Sequence, residues 1–581
     1  MRVEKLLTDH IDIWSSALQT RSTAGRGSSG KIDLYGIKKL RELILELAVR
    51  GKLVPQDPND EPASELLKRI AAEKAELVKQ GKIKKQKPLP EISEDEKPFE
   101  LPEGWEWVRL GDAVEVINGR AYKKHEMLQS GTPLLRVGNL FTSNEWYYSD
   151  LVLDEDKYID KGDLIYAWSA SFGPFIWQGD KVIYHYHIWK LKFFSEPSLN
   201  KFFLHDYLAS ITERIKVQGN GIAMLHMTKE RMEKQLIACP PIEEQIKIVS
   251  KIKELMSLCD QLEQQSLTSL EAHQQLVETL LATLTDSQDA EELAENWARI
   301  SQHFDTLFTT EASIDALKQT ILQLAVMGKL VPQDPNDEPA AELLKRIEQE
   351  KAQLVKEGKI KKQKPLPPVS EEEKPFELPQ GWEWCRLGDL ALSSEAGWSP
   401  QCEPHPRHGD DWGVLKISAV TWGEFDPNEN KALPVKLEPK QEYEVKGNDF
   451  LLSRANTSDL VARSVVVPQT VPKHLMLSDK IIRFRFSDLI SVNYINTLNN
   501  SMLSRQYYGM VAGGTSASMK NVTRNQVSLL PVALPPYNEQ KKIISVAENF
   551  LVIADSLRNL ILVSKNVKRD FTDSIISHFE N

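Results

Sequence analysis

The sequence predicts an α+β protein: two mixed α/β domains separated by long antiparallel, coiled-coil-like helices, with an internal tandem repeat and pseudo-twofold symmetry. Three observations support this prediction. The segment KLVPQDPNDEP stands at Lys52–Pro62 and again at Lys329–Pro339. The match extends at a constant offset of 277 residues (Lys52 to Lys329) until two unlike segments begin. After each of these inserts, apolar residues at heptad-like spacing predict a long helix.

Composition indicates an ordinary globular protein. The 581 residues exceed what one core holds, and 41% are hydrophobic and 27% charged. No apolar run is long enough to cross a bilayer, so we expect a cytoplasmic protein without a membrane contact. The four cysteines have neither CxxC nor Cys/His spacing, so we expect reduced thiols and no metal site.

The net charge of -11 argues against nucleic-acid binding only if charge is averaged over the chain. The acidic excess lies in the repeated segments, whereas the C-terminal part of the second insert is basic. Its cations are Lys446, Arg454, Arg463, Lys473, Lys480, Arg483, Arg485, Arg505, Lys520 and Arg524. We call the repeated segments outside the inserts the frame. This distribution of charge is compatible with DNA contact at the inserts and protein contact along the frame.

Hydrophobic periodicity predicts two pairs of frame helices, over 3–19 and 33–50 and again over 288–308 and 312–327. A glycine, Gly51 or Gly328, should end the second helix of each pair. A charged helix follows, over 62–80 and 339–357. It leads into the basic tract KIKKQK, which is predicted to be a solvated linker, with a phosphate or partner contact as the alternative.

The long helices should start at Pro-Pro pairs and reach about Leu284 and Ile576, roughly 60 Å each at 1.5 Å per residue. The inserts show short β-rich runs separated by turn residues. The predicted domains are a helical repeat segment (1–100), the first insert (101–239), the central long helix (240–287), the second repeat segment (288–377), the second insert (378–534) and the C-terminal long helix (535–581).

The sequence contains no convincing catalytic motif. Amino-methyltransferases need Asp or Asn before Pro-Pro-[Tyr/Phe] to bind the target amine, but Leu534 and Cys239 occupy that place here. Phosphate-loop, cofactor-loop and HExxH patterns are also missing. The acidic cluster Asp57–Glu61 with Lys68 recurs verbatim at Asp334–Glu338, which favours a structural turn over a nuclease site.

What the inserts offer is amide, guanidinium, ammonium and hydroxyl side chains near turns. Arginine and lysine can read guanine, asparagine can read adenine, and serine can contact phosphate or base edges. In the first insert the DNA-binding candidates are Asn118, Arg120, Lys123, Lys124, Arg136, Asn139, Ser169 and Asn220. In the second they are Lys416, Arg454, Asn456, Lys480, Arg483, Ser516, Lys520 and Asn521. For Arg454, an ion pair with Asp459 or Asp479 is the alternative.

Each insert is framed by an opening motif, Leu-Pro-x-Gly-Trp-Glu-Trp-x-Arg-Leu-Gly-Asp (Leu101–Asp112 and Leu378–Asp389), and a closing motif, Pro-Pro-x-x-Glu-Gln (Pro240–Gln245 and Pro535–Gln540). This arrangement strongly resembles the specificity subunit of Type I restriction-modification enzymes, over nearly the whole chain. The resemblance implies two target recognition domains, each reading half of a split DNA sequence, and a helical rod between them. It also implies a chain without catalytic residues or cofactors of its own.

The resemblance further implies double-stranded DNA as a ligand and protein partners that carry the chemistry. These are two modification subunits with S-adenosylmethionine and two restriction subunits with ATP and Mg²⁺. Two other functions remain open at this point: an autonomous DNA adenine methyltransferase, and a coiled-coil scaffold that binds protein and no DNA.

Overall fold

The computed structural model describes residues 9–21, 31–169, 171–217, 227–516 and 519–580. The chain divides into two compact units. Unit 1 comprises Met1–Gln19, Leu34–Leu267 and Val567–Asn581, and unit 2 comprises Thr20–Asp33 and Thr268–Asn566. Each unit therefore contains one insert and a segment of each long helix.

The helices begin and end as follows. They are α1 (Ile11–Ser16), α2 (Tyr35–Val49), α3 (Ala63–Lys79), α4 (Leu110–Ala113), α5 (Val137–Phe141), α6 (Lys201–Val217), α7 (Lys229–Glu233), α8 (Ile242–Asp286), α9 (Ala290–Gln302), α10 (Phe304–Leu307), α11 (Glu311–Val326), α12 (Ala340–Lys356), α13 (Leu387–Leu390), α14 (Val492–Asn500), α15 (Met502–Val511), α16 (Arg524–Ser528) and α17 (Tyr537–Glu580). Within the described residues, no helix is both long and apolar enough to cross a membrane.

The strands are short and lie mostly in the inserts. They are β1 (Gln19–Arg21), β2 (Lys31–Asp33), β3 (Glu106–Arg109), β4 (Val114–Asn118), β5 (Thr132–Leu135), β6 (Tyr147–Ser149), β7 (Tyr158–Ile159), β8 (Leu164–Ser169), β9 (Ser171–Ile176), β10 (Val182–Tyr184), β11 (Ile188–Phe193), β12 (Leu236–Cys239), β13 (Glu383–Arg386), β14 (Ala391–Ala396), β15 (Gly413–Leu415), β16 (Asn430–Ala432), β17 (Phe450–Ser453), β18 (Ala455–Asn456), β19 (Ser464–Val466), β20 (Leu475–Met476), β21 (Ile481–Phe486), β22 (Gly513–Ser516), β23 (Met519–Asn521) and β24 (Pro531–Leu534).

The first insert contains two four-stranded sheets, with strand orders β6-β5-β10-β7 and β4-β11-β8-β9. All their pairings are antiparallel except the parallel pair β5 and β10. The helix α6 packs on strand β9 of this insert and on the frame helix α2. Helix α6 is therefore one of the elements that join the first insert to its frame.

The second insert has a different sheet organisation. Its larger sheet runs β14-β21-β17-β19, and two three-stranded sheets run β16-β15-β20 and β18-β23-β22. Here α14 packs on strand β19 and on the frame helix α11. Both inserts are mixed α/β domains, but their strands are arranged differently.

A short antiparallel strand pair closes each insert at its base. Strand β3 pairs with β12 so that Trp107 lies opposite Ala238. In the same way β13 pairs with β24, placing Trp384 opposite Ala533. The opening and closing motifs thus meet as neighbouring strands, and the intervening chain projects from a common base.

The frame helices α2 and α11 each end at a glycine, as the sequence predicts. Gly51 has φ +68° and Gly328 has φ +70°, values in the left-handed region. A Cβ would also come within 2.5 Å of Pro102 at the first site and of Pro379 at the second. Glycine is therefore required for both conformation and space.

Two helix predictions were wrong in extent. The helix predicted over 3–19 ends at Ser16 in the described residues, and Gln19–Arg21 forms strand β1. The helix predicted over 288–308 is divided at His303 into α9 and α10. In both places local apolar spacing continued past the point where the backbone leaves helical geometry.

The long helices were predicted in the right places. Helix α8 has 45 residues and α17 has 44, so each is longer than predicted, roughly 66 Å at 1.5 Å per residue. In unit 2, the end of α8, helix α11 and the start of α17 share one core that includes Val277, Ile314 and Ala547.

Candidate nucleic-acid interface

The repeated opening motif has a structural role, because its arginine holds the linker that precedes each insert. Arg109 donates to the carbonyl oxygens of Pro90 and Lys234 at 2.9 Å each, and it pairs with Glu96. Arg386 makes the equivalent bonds to Pro367, Leu529 and Glu373. Both arginines are nearly fully buried, so neither of them forms part of an exposed binding surface.

The closing motif is structural too. Gln245 donates to the carbonyl of Pro240 at 2.9 Å and accepts from the backbone N–H of Asn200 at 2.8 Å. Gln540 donates to Pro535 and accepts from Ser491. In each copy, one glutamine at the start of a long helix thus forms a hydrogen bond with the last part of the insert.

Several candidates of the second insert lie on or next to one of its three-stranded sheets, β18-β23-β22. Asn456 lies opposite Lys520 and Ala455 opposite Asn521, so segments more than 60 residues apart in sequence become neighbours. Ser516 lies at the end of β22, opposite Met519. We call Arg454, Asn456, Lys480, Lys520 and Asn521 the recognition sheet.

Arg454 and Lys480 belong to this group through backbone contacts. The Arg454 N–H donates to the Lys480 carbonyl at 2.7 Å, and the Arg454 carbonyl accepts from Val522 at 2.9 Å. Among the described residues, the Arg454 guanidinium forms no ion pair: Asp459 accepts from Ser458, and Asp479 from Ser399. The alternative prediction of an ion pair with either aspartate is therefore wrong.

Other side chains of the recognition sheet are partly engaged. Lys480 is half-exposed and lies 3.5 Å from Asp479. The Lys520 ammonium donates to the Gly514 carbonyl at 2.8 Å. The Asn456 amide lies 3.4 Å from the Thr421 hydroxyl. Exposed or weakly held side chains of this kind can exchange these contacts for contacts to DNA.

Lys416 lies apart from the recognition sheet in its interactions. Its ammonium pairs with Glu429 at 2.9 Å, and Glu429 also accepts a hydrogen bond from Ser418. The bonds from Ser418 and Lys416 lower the pKa of Glu429, so this carboxylate stays charged at neutral pH. A contact from Lys416 to DNA would have to compete with that carboxylate.

The prediction that Arg483 contacts DNA is wrong. Its side chain is 0% exposed. Its five N–H groups are all used, by Glu395 (2.9 and 2.7 Å), Asp449 (2.8 Å) and the carbonyls of Glu444 (2.7 Å) and Glu442 (2.8 Å). Because strand β21 turns this position inward, Arg483 is a buried ion-pair residue and does not face a ligand.

In the first insert, two candidate arginines converge on His185. Arg120 forms a parallel β-bridge with His185, whose N–H donates to the carbonyl of Leu135, the neighbour of Arg136. Burial lowers the pKa of His185 to about 4, helped by the charges of His187 and Arg136. This histidine is therefore a neutral group at physiological pH.

The two arginines are held in different ways. Arg120 pairs with Glu126 at 2.7 Å and lies over the ring of Tyr122. Arg136 lies over the ring of Tyr147, 4.3 Å from its centroid, and its Nε has no partner within the described residues. That Nε is buried, as is the unpartnered Nη1 of Arg120, and of the two arginines only Arg120 has an ion pair among the described residues.

The remaining candidates of the first insert have mixed positions. Asn139 is fully engaged, accepting from the Arg136 N–H and donating to the Glu145 carbonyl. Asn118 ends strand β4 and is exposed, as are Lys123 and Lys124. Ser169 ends strand β8. Asn220 lies outside the described residues.

A cluster of aromatic rings lies beside these residues, which the sequence analysis did not single out as a cluster. Trp168 stacks on Trp189 at 5.3 Å, and its indole donates to the Tyr186 carbonyl. Tyr186 packs against His185 and His187 and remains partly exposed. Strand pairing of β8 with β11 places Trp168 beside Trp189, whereas His185, Tyr186 and His187 are consecutive and were a signal in the sequence.

The Pro-Pro pairs and the acidic turns, which the sequence analysis considered as possible catalytic motifs, have structural roles. Leu534 ends strand β24 and is buried, and α17 begins at Tyr537, so the Pro-Pro pair is a strand-to-helix connection. In the acidic turn, Asp57 accepts from Asn59 and Glu61 pairs with Arg69. No group of three or more potential metal-ligating side chains was found in the described part of the chain.

Comparison with known proteins agrees with this picture. The family described as Type I restriction modification DNA specificity domain matches residues 102–272. The Type I restriction enzyme EcoEI specificity subunit of Escherichia coli is 54% identical over 596 residues, covering 99% of both chains. The EcoAI specificity subunit of Escherichia coli is 48% identical over 600 residues, again covering 99% of both. A solved structure of a type I R-M system aligns with 83% of this chain and 99% of its own at 15% identity, with a TM-score of 0.46.

Proposed function

Since this chain belongs to the family of Type I restriction enzyme specificity subunits, we propose that its two inserts read the two halves of a bipartite, asymmetric DNA sequence. The observation that supports this most directly is the repeated frame. Gln245 and Gln540 make the same two bonds in each copy, yet the inserts that they anchor have different strand orders. A constant support under two unlike surfaces suits two different half-sites.

The recognition sheet supports the reading of the second half-site. It places guanidinium, ammonium and amide groups on neighbouring strands, which are the donors that distinguish guanine and adenine in the major groove. The first half-site would be read around Arg136, with Arg120 and Ser169 nearby. The exposed residues Lys123 and Lys124 would contact phosphates, which position the protein on the duplex without reading sequence.

The chain is a non-catalytic recognition subunit, and specificity subunits assemble with modification and restriction subunits. We propose two of each in the assembly. S-adenosylmethionine would be used by the modification subunits, and ATP with Mg²⁺ by the restriction subunits. This chain would fix where on the DNA its partners act.

The finer architecture is part of the same proposal. The two long helices would pair antiparallel as a pseudo-twofold, coiled-coil-like spacer with one insert at each end. Their nearly equal lengths of 45 and 44 residues support this, as does the inclusion of a segment of each helix in both compact units. Half-site centres about one helical turn apart, roughly 10 bp, are then expected.

Methylome sequencing of a host that expresses this chain with its modification and restriction subunits tests the proposal. The expected motif has two different half-sites separated by a fixed gap of unspecified bases. A single uninterrupted motif, or a palindromic pair of half-sites, would contradict it. The absence of a sequence-specific mobility shift of duplex DNA by the assembled complex would favour a scaffold role instead.

A further inference from the structure

We propose that unit 2 carries a phosphate-binding groove, distinct from the recognition sheet, that grips the DNA backbone next to the second half-site. This inference rests on the proposed function. The groove is a cavity of about 740 Å³ between the second KIKKQK tract and the second insert. Its cationic lining residues are Lys359, Lys361, Lys362, Lys364, Arg485 and Arg524. We call this set the basic groove.

The charge of the basic groove is opposite to that of the chain. Among its lining residues only Glu395 is acidic, and that carboxylate accepts from the buried Arg483 at 2.7 Å. Lys361, Lys362 and Lys364 are exposed and have no ion pair within the described ranges. In a protein of net charge -11, such a local excess of cations favours a polyanion as the occupant.

The tract is exposed, but Gln363 and the following Leu366 contact the second insert. The Gln363 amide donates to the Leu392 carbonyl at 3.0 Å. Leu366 lies so close to Gly388 that a Cβ at that glycine would come within 2.6 Å of it. The lysines around Gln363 are thus presented from a segment that contacts the second insert through Gln363 and Leu366, which lowers the entropic cost of binding.

The groove is adjacent to the recognition sheet along the chain. Arg524 follows Asn521 by three residues, at most about 10 Å of extended chain. Its guanidinium is oriented by a 2.8 Å bond to the Ser394 carbonyl, and it has no carboxylate partner in the described structure. A duplex whose bases contact Asn521 would bring phosphates within reach of Arg524 and then of the lysines.

The first copy of the tract provides a matched control. Lys82–Lys87 has the same sequence, but its insert offers different neighbours. Lys192 lies opposite Glu115, whereas Arg485, at the same strand position, lies opposite Ser393 and 3.5 Å from Glu395. Lys229, which like Arg524 begins the short helix after a capping threonine, pairs with Glu233 at 3.5 Å.

The test uses the full chain assembled with its modification subunits and compares duplexes with and without the methylated motif over a series of salt concentrations. The triple variant Lys361→Gln, Lys362→Gln, Lys364→Gln should weaken binding to both duplexes. The slope of log affinity against log salt should fall by about 2 to 3, since each phosphate contact contributes about 0.9. The recognised sequence should not change. The control Lys84→Gln, Lys85→Gln, Lys87→Gln should change the slope by less than about 1.

Three outcomes would contradict the proposal that the basic groove binds DNA phosphates. One is an unchanged slope in the triple variant and in Arg524→Gln. Another is loss of assembly with the modification subunits while the DNA slope is retained, which would make the tract a protein contact. The third is an equal loss of slope in both triple variants. The wild-type complex is measured first. If it does not distinguish the two duplexes, the proposed function is wrong, whereas the variants test only the groove.

Discussion

The indole Nε1–H of Trp105 donates a hydrogen bond of 2.9 Å to Glu244, a carboxylate that is only 1% exposed. Gln56 donates to the other oxygen of that carboxylate at 3.1 Å. In unit 2, Trp382 and Gln333 likewise donate to Glu539, at 3.0 and 3.2 Å, but both bonds go to the same carboxylate oxygen, Oε1. Burial raises the pKa of both glutamates, and these hydrogen bonds partly oppose that shift. The most recognisable tryptophan of the opening motif therefore serves the junction between insert and long helix.

Trp105→Phe should destabilise unit 1, because it removes a donor from a buried carboxyl group while keeping most of the apolar volume. The expected loss is about 1 to 3 kcal/mol. Trp382→Phe should do the same in unit 2. Urea denaturation would measure both. Trp422→Phe is the control, since Trp422 is 69% exposed and should change stability by less than about 0.5 kcal/mol. Equal small effects in all three variants would contradict a structural role for the indole N–H groups.

Arg483→Met should disrupt folding of the second insert without acting through DNA contact. It leaves Asp449 without its buried partner and removes the cation bound to Glu395, and breaking a buried ion pair in this way costs about 3 to 5 kcal/mol. Denaturant unfolding and limited proteolysis of the second insert are the measurements. Arg485→Met is the neighbouring control, because that side chain is half-exposed. A stable Arg483→Met protein with altered DNA specificity would contradict the buried role.

Arg454→Ala should weaken DNA binding in a correctly folded complex. If Arg454 reads a base, specific affinity should fall by about 1 to 3 kcal/mol, and one position of the second half-site should relax. If it contacts a phosphate, all sequences should weaken alike and the salt slope should fall by about 1. Arg346→Ala, in the frame helix and paired with Glu338, is the control. Unchanged affinity, salt dependence and specificity would remove Arg454 from the interface.

Acid should loosen the attachment of the linkers to the opening motifs. Hydrogen bonds from Arg109 and Arg386 hold the pKa of Glu96 and Glu373 near about 2, below their usual 4.5. Folding therefore favours the ionised carboxylates, so their stabilising contribution is complete above pH 4.5 and is lost as the pH falls toward 2.

Glu96→Gln combined with Glu373→Gln should flatten the fall in unfolding free energy between those pH values. Urea titrations at several pH values would show this, with the exposed Glu100→Gln as control. Glu244 and Glu539 contribute with the opposite sign, since their raised pKa favours the protonated form in the folded state. A double variant with the same acid dependence as wild type would contradict the assignment.

Exchange of residues 113–238 for the corresponding insert of a relative should change one half of the methylated motif and leave the other half intact. The reason is that the opening and closing motifs, which remain, make the contacts that hold either insert. Methylome sequencing is the readout, and the reciprocal exchange of the second insert is its control. Changes in both halves would show that recognition is shared between the inserts.

Much of the frame could be predicted from sequence because its signals are local. Heptad-like spacing located α8 and α17, and glycine located the ends of α2 and α11. The verbatim repeat established that the acidic turn at Asp57 is structural, and the framing motifs were sufficient to indicate the family. Helix periodicity, caps and turns are encoded within a few residues, so one chain suffices to find them.

The candidate site depended on pairings that local sequence does not encode. Arg483 and Arg485 are chemically alike and two residues apart, yet only Arg483 is buried, because Glu395 and Asp449 approach it from parts of the chain 88 and 34 residues away. The recognition sheet exists because Asn456 and Lys520 meet across strands. Sequence alone determined the repeat, the helices and the family. Which polar side chains face outward was decided by tertiary packing, since burial depends on partners tens of residues away that satisfy or exclude each charge.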